Sequence, residues 1–202
     1  MSAELEAEVR RLCEAGELHA AAEHAVTGYG PELLGFLHGA LGNEADAHDV
    51  FSQTTEDLWS GLPRFEWRSS LRTWLYVLGR HAAARHRRSP HRRRDRQVPL
   101  SAAEEVAERV RTRTAAHLRT QVKDGFARLR DALEEEDRML LILRVDRGLS
   151  WDDVARVLGG ELAADDDLSR ATARLRKRFQ LLKQELRERA KAAGLVGEDD
   201  GA

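Results

Sequence analysis

The sequence predicts an all-α protein of two small helical domains joined by a basic linker, the second containing a helix-turn-helix. Ala, Leu, Glu and Arg dominate the composition and β-branched residues are few, a mixture that favours helix over strand. Apolar residues recur at three- and four-residue spacing, the period of an amphipathic helix. This periodicity fades once, in a stretch rich in arginine and proline that is typical of a linker.

The first predicted domain covers residues 1–88 and contains four or five helices. Gly42-Asn43 separates two of them, and Gly61-Leu62-Pro63 ends the next. A short polar loop with two aromatic residues then precedes a helix that begins near Leu71. Trp74 falls on the apolar stripe of that helix, so we expect it in the core. The stripes of the three helices are Leu33, Leu34, Leu37, Leu41; Ala47, Val50, Phe51, Thr54, Leu58; and Leu71, Trp74, Leu75, Leu78, Ala82.

Residues 89–120 are predicted to be a basic, flexible linker, although Val106 and Val110 are spaced as in a short helix. The second predicted domain covers residues 121–202. Two packed helices come first, joined through the acidic run at 134–137.

The second domain continues with a helix-turn-helix pattern. Ser150 is placed as an N-cap, with Asp153 three residues later in an acidic variant of the capping box. The short helix that follows stops at Gly159-Gly160. A long basic helix begins near Asp167. Short helix, glycine-containing turn and longer basic helix is the order of a DNA-binding helix-turn-helix.

Charge is unevenly distributed along the chain. Residues 1–60 hold 12 acids and 2 bases, residues 61–130 hold 6 acids and 18 bases, and the formal net charge of the whole chain is only −2. Such asymmetry predicts two different partners, with nucleic acid meeting the basic part. A single cysteine, Cys13, and no signal-peptide pattern favour the cytoplasm, and no membrane partner is expected.

Two stretches resemble a known family. The segment at 29–88 contains DAHDVFSQ on an acidic helix, then FEWRSSLRTWLY and an arginine-rich exit, and LRVDRGLSWDDVARVLG lies in the segment at 126–187. Both are similar to extracytoplasmic-function (ECF) sigma factors, the first to the domain that opens the −10 promoter element and the second to the domain that contacts the −35 element. The resemblance implies core RNA polymerase and promoter DNA as partners and no cofactor or metal, and an anti-sigma factor is a further partner common in the family.

Site residues follow from this resemblance. In the family the acidic helix docks on a coiled coil of the largest polymerase subunit, which here implicates Asp46, Asp49, Gln53 and Asp57. Thr54 and His48 depart from the family, which commonly has acids there. The implied −10 contacts are Phe65, Trp67, Arg68, Ser69, Ser70, Arg72, Arg80 and Arg85; the implied −35 contacts are Ser169, Arg170, Thr172, Arg174, Arg176 and Lys177.

Other interpretations stay open from the residues alone. A stripe of carboxylates is more often a solvated helix face, and only the resemblance favours a docking surface here; an acidic insertion at 160–167 should repel DNA. One alternative function is a sigma-like regulator that binds DNA without polymerase; another is an interaction protein sequestered by a partner. An enzyme is not expected, because no phosphate-binding loop, metal constellation or nucleophile–base pattern is present in the sequence.

Overall fold

The computed structural model describes residues 2–88, 105–110, 129–159 and 165–193. Over these ranges the chain is helical and forms no strand, which confirms the all-α class. The chain divides into two compact units, residues 1–117 and residues 118–202. Among the described helices, none has the length and apolar character needed to cross a membrane.

The first unit is built on four helices: α1 (Ser2–Glu14), α2 (Leu18–Leu41), α3 (Glu44–Gly61) and α4 (Leu71–Arg88), with a 3-10 turn at Leu62–Arg64. Their apolar faces meet in a core that includes Leu34, Phe36 and Leu37 of α2 and Phe51 and Leu58 of α3, all at most 1% exposed. Burial of such side chains is the main driving force for the packing of the four helices.

The predicted breaks between these helices are confirmed. Gly42 ends α2 in the left-handed conformation, with φ of 67°. Asn43 then caps α3, because its side-chain oxygen accepts hydrogen bonds from the backbone N–H groups of Ala45 (2.8 Å) and Asp46 (3.2 Å). Helix α3 ends at Gly61, as the sequence predicts.

A short helix, α5 (105–110), lies within the segment expected to be a flexible linker. Val106, Ala107 and Val110 are buried, and a Cβ on Gly30 would lie only 3.0 Å from a methyl group of Val110. Helix α5 therefore packs tightly on α2 in the first unit, and Arg109 adds an ion pair with Glu23 at 2.7 Å. The rest of the predicted linker falls outside the described residues.

The second unit contains α6 (Glu135–Leu141), which continues as a π-helical turn over Ile142–Asp146, followed by α7 (Trp151–Gly159) and α8 (Asp165–Ala192). Ser150 caps α7: its hydroxyl accepts from the backbone N–H of Asp153 at 3.1 Å and donates to the Asp153 carboxylate at 2.6 Å. Residues 160–164, between α7 and α8, fall outside the described part of the chain.

Candidate polymerase and promoter interfaces

The carboxylates of α3 lie on its outer side, opposite the buried stripe. Asp49 is exposed, while Asp46, Gln53 and Asp57 are partly buried. The Gln53 amide donates to Glu56 and to Asp57, both at 3.2 Å. The four predicted polymerase-binding residues thus lie along the same α3 surface.

The basic end of α4 lies against this acidic surface. Arg85 forms an ion pair with Asp57, and the His86 Nε2 atom lies 2.7 Å from an Asp46 carboxylate oxygen. The side chain of His86 is only 9% exposed. Arg85, predicted to hold DNA phosphate, is therefore engaged by a residue predicted to hold polymerase. The sequence assigns them to separate partners, and the structure brings them together.

Thr54 is not part of the outer surface of α3. It is 0% exposed, and its hydroxyl donates to the backbone carbonyl of Val50 at 2.7 Å. A residue in this place cannot touch a docked protein, so the absence of an acid at Thr54 does not alter the acidic surface.

Three aromatic side chains form a cluster where the loop before α4 meets the first turn of that helix. Phe65 stacks on Trp74, with ring centroids 4.4 Å apart and an interplanar angle of 14°, and it lies 4.8 Å from Trp67. Trp74, expected in the core, is only partly buried because it covers the end of α3 at Gly61 and the loop residue Phe65. The cluster offers flat apolar faces on which unpaired bases stack well.

Ser70 has a structural role at the start of α4. Its hydroxyl accepts from the backbone N–H of Thr73 at 3.0 Å, so Ser70 is the N-cap of α4. Ser69 lies just before it, and its hydroxyl donates to the Ser70 carbonyl at 3.2 Å. The first two N–H groups of α4, those of Leu71 and Arg72, donate to the carboxylate of Glu6 in α1.

The arginines predicted to contact −10 DNA differ in how strongly neighbouring side chains already engage them. Arg68 is exposed and pairs with Glu66, whereas Arg80 is partly buried and has no ion-pair partner among the described residues. Arg72 is held by Glu32 of α2, which also accepts from the Tyr76 hydroxyl at 2.7 Å. Burial alone would lower the pKa of Arg72, but hydrogen bonding to Glu32 and the charge of Glu32 raise it. Arg72 therefore stays charged while tying α4 to α2.

On α8, five of the six predicted −35 contacts are exposed, namely Ser169, Arg170, Arg174, Arg176 and Lys177. Thr172 is the exception: it is 6% exposed, and its hydroxyl donates to Asp152 of α7 at 3.1 Å. Its placement does not support a DNA contact, because the residue belongs to the packed side of α8.

Two further contacts of α8 fix its place in the second unit. Trp151 of α7 packs edge-on against Phe179, with centroids 5.4 Å apart, and the guanidinium of Arg176 lies 5.9 Å from the Trp151 ring. Arg178 binds Asp137 of α6 with a 3.0 Å hydrogen bond, and this contact raises the pKa of Arg178. The outward arginines of α8 are thus carried by a firmly packed helix.

Within the described ranges, no group of three or more His, Cys, Asp or Glu side chains is arranged to hold a metal ion. The sequence did not predict the contacts of Glu6, Arg10 and Glu32 with the 65–70 loop and the first turns of α4. The sequence holds no signal for them, because each joins residues about 40 to 65 positions apart.

Two comparisons with known proteins bear on this region. Residues 25–94 match the model of sigma-70 region 2, a span that holds all of α3, the aromatic loop and α4. Over 161 residues the chain is 27% identical to RNA polymerase sigma factor YlaC of Bacillus subtilis (strain 168), which covers 79% of this chain and 92% of that protein. No solved structure matches the chain. The chain is thus similar to RNA polymerase sigma factors, through a match to their region 2 and a relative that aligns with most of its length.

Proposed function

We propose that this sigma factor captures core RNA polymerase through the acidic surface of α3, and promoter DNA through the 65–70 loop, α4 and α8. A sigma factor directs transcription initiation, and its family regulates transcription without catalysis. The observation that carries the proposal is the charge pattern of the region 2 match: carboxylates on the outside of α3, cations and aromatic rings on the loop and α4. We propose that the protein acts in the cytoplasm, together with the polymerase.

The loop and α4 fit the −10 element chemically. Separated promoter strands present unstacked bases and phosphates, which bind aromatic faces and cations. Phe65, Trp67 and Trp74 supply the faces, and Arg68 and Arg80 supply cations that are less engaged than Arg72 and Arg85. Ser70 and Arg72 contribute indirectly, since they fix the start of α4.

In this proposal, α8 contacts the −35 element. Arg170, Arg174 and Lys177 extend from the early turns of a helix that follows a short capped helix, the arrangement of a major-groove reader. A sequestering anti-sigma partner is a further proposal, made from the family alone.

The test is a run-off transcription assay with purified chain, core polymerase and a library of genomic fragments. We expect a defined transcript from the mixture and none from either component alone. The RNA 5′ ends then identify a promoter for later assays. The chain alone is expected to bind duplex DNA poorly. Tight binding without polymerase, combined with no transcript, would favour the alternative of a DNA-binding regulator.

Replacing Arg174 by alanine is expected to weaken initiation at that promoter by about tenfold, the size of one lost specific arginine contact to a base. Arg187→Ala, further along α8 and also exposed, is the matched control and should change little. On a promoter whose −35 element is scrambled, the Arg174→Ala effect should disappear. An equal loss on both promoters would remove Arg174 from −35 recognition.

A further inference from the structure

Helix α1 lies outside residues 25–94, which match sigma-70 region 2, yet it contacts the aromatic loop and the start of α4. Its inner face is firmly packed: Val9 and Leu12 are buried, and Leu5 lies so close to Gly28 of α2 that a Cβ there would overlap it. Helix α1 is therefore a fixed part of the first unit and can hold other residues in place.

The first contact fixes the end of the loop. Glu6 accepts hydrogen bonds from the backbone N–H groups of Leu71 (3.0 Å) and Arg72 (3.2 Å), and from the Tyr29 hydroxyl (3.2 Å). A carboxylate at this point satisfies two N–H groups of the first turn of α4 and interacts favourably with the helix dipole.

The second contact fixes the middle of the loop. The guanidinium carbon of Arg10 lies 5.4 Å from the centroid of the Trp67 ring, within the range of a cation–π interaction. Glu14, one turn further along α1, accepts a hydrogen bond from the Arg10 Nε at 3.2 Å. Arg10 is thus oriented by its own helix while it covers one face of the tryptophan.

Trp67 needs such support because its backbone conformation is energetically unfavourable. Its φ of 57° is the only positive φ of a non-glycine residue in the described part of the chain. This left-handed conformation crowds the Cβ atom and persists only when the surroundings impose it. Its ring contacts Phe65, with centroids 4.8 Å apart, and the guanidinium of Arg10, and both contacts restrain it.

We propose that Arg10 is a positioning residue for promoter opening: it holds the Trp67 ring in the orientation that receives an unpaired base of the −10 element. The inference rests on the proposed function, because it assumes that the 65–70 loop meets separated DNA. It adds to that function a residue of α1, outside the matched region, that acts through Trp67 rather than on the DNA.

The experiment follows strand opening by the complex of the sigma factor with core polymerase. The probe is the promoter from the run-off assay, carrying fluorescent 2-aminopurine in its −10 element. Arg10→Ala is expected to slow opening by about two- to fivefold, the effect of one cation–π contact at an exposed site. Arg10→Lys retains a cation and should restore most of the rate. Trp67→Ala should slow opening by about tenfold or more, as expected for a lost stacking platform.

Arg11→Ala is the matched control. Arg11 is the next residue of α1, its side chain is 62% exposed against 59% for Arg10, and it pairs with Glu8 on its own helix at 2.7 Å. We expect parental opening from this variant. Thermal melting monitored by circular dichroism should give the same midpoint for the Arg10 and Arg11 variants, which separates positioning from stability.

The double variant Arg10→Ala, Trp67→Ala decides the mechanism. If Arg10 acts through Trp67, the double variant opens DNA at the rate of Trp67→Ala alone. A further slowing by the full Arg10→Ala factor would mean that Arg10 contacts DNA directly and would overturn the proposal, as would equal rates for Arg10→Ala and Arg11→Ala. Failure of the parental complex to open any promoter would instead overturn the proposed function.

Discussion

Replacing Glu32 by alanine is expected to lower the free energy of unfolding of the first unit by about 2–3 kcal/mol. Glu32 accepts hydrogen bonds from the Arg72 Nε at 3.0 and 3.2 Å and from the Tyr76 hydroxyl at 2.7 Å. The side chains of Arg72 and Glu32 are only 28% and 27% exposed. Removing the carboxylate takes this acceptor from a partly desolvated cation and from a phenol, which costs more than the pair itself contributes. Urea unfolding of the purified chain measures the loss.

Glu66→Ala is the matched control for this measurement. Glu66 also pairs with an arginine of the first unit, Arg68, at 2.6 Å, but the two side chains are 65% and 82% exposed. Exposed ion pairs contribute little because water screens the charges, so no measurable loss is expected. The double variant Glu32→Leu, Arg72→Met should recover much of the lost stability, because it removes both charges together. Equal losses from Glu32→Ala and Glu66→Ala would contradict a special role for the Glu32 carboxylate.

Local features of the sequence predict several of the helix ends. Gly42-Asn43 ends one helix and begins the next through interactions among neighbouring residues, and Ser150 caps α7 through Asp153 three positions on. Such signals act within one helical turn, so they are readable without knowledge of the fold. The short helix α5 was not predicted with this certainty: Val106 and Val110 share one helix face, but the segment around them was expected to be a linker.

The partners of charged residues were not predictable in this way. A sequence records that Arg72 and Arg85 are basic and lie in a basic stretch, but not that Glu32 and Asp57, 40 and 28 positions away, neutralise them. Which side of a helix meets a neighbour is likewise a property of the packing. Thr172 lies two residues from the exposed Arg170 and Arg174 of α8 and nevertheless packs against α7. The sequence therefore identifies the charged segments of the candidate site but not which of their side chains are already engaged by neighbours within the fold.

The pairing of α3 with α4 also decides which carboxylate best tests polymerase binding. Asp57 and Asp46 contact Arg85 and His86, so changing either disturbs the junction of α3 and α4 as well as the outer surface. Asp49 lies between them on α3 and is exposed. A substitution at Asp49 alters the charge of the proposed polymerase surface while leaving those two side-chain contacts in place.

Replacing Asp49 by arginine is therefore expected to weaken capture of core polymerase by roughly 30- to 100-fold, because like charges placed opposite each other in an interface cost several kcal/mol. Retention of the sigma factor by immobilised core enzyme, titrated at low and moderate salt, measures the affinity. Glu17→Arg is the control: it makes the same change of charge at an exposed residue between α1 and α2, outside the four predicted polymerase-binding residues. Both variants should keep the helical circular dichroism of the parent. If Asp49→Arg binds core enzyme as tightly as Glu17→Arg, the outer face of α3 is a solvated surface and polymerase docks elsewhere on the chain.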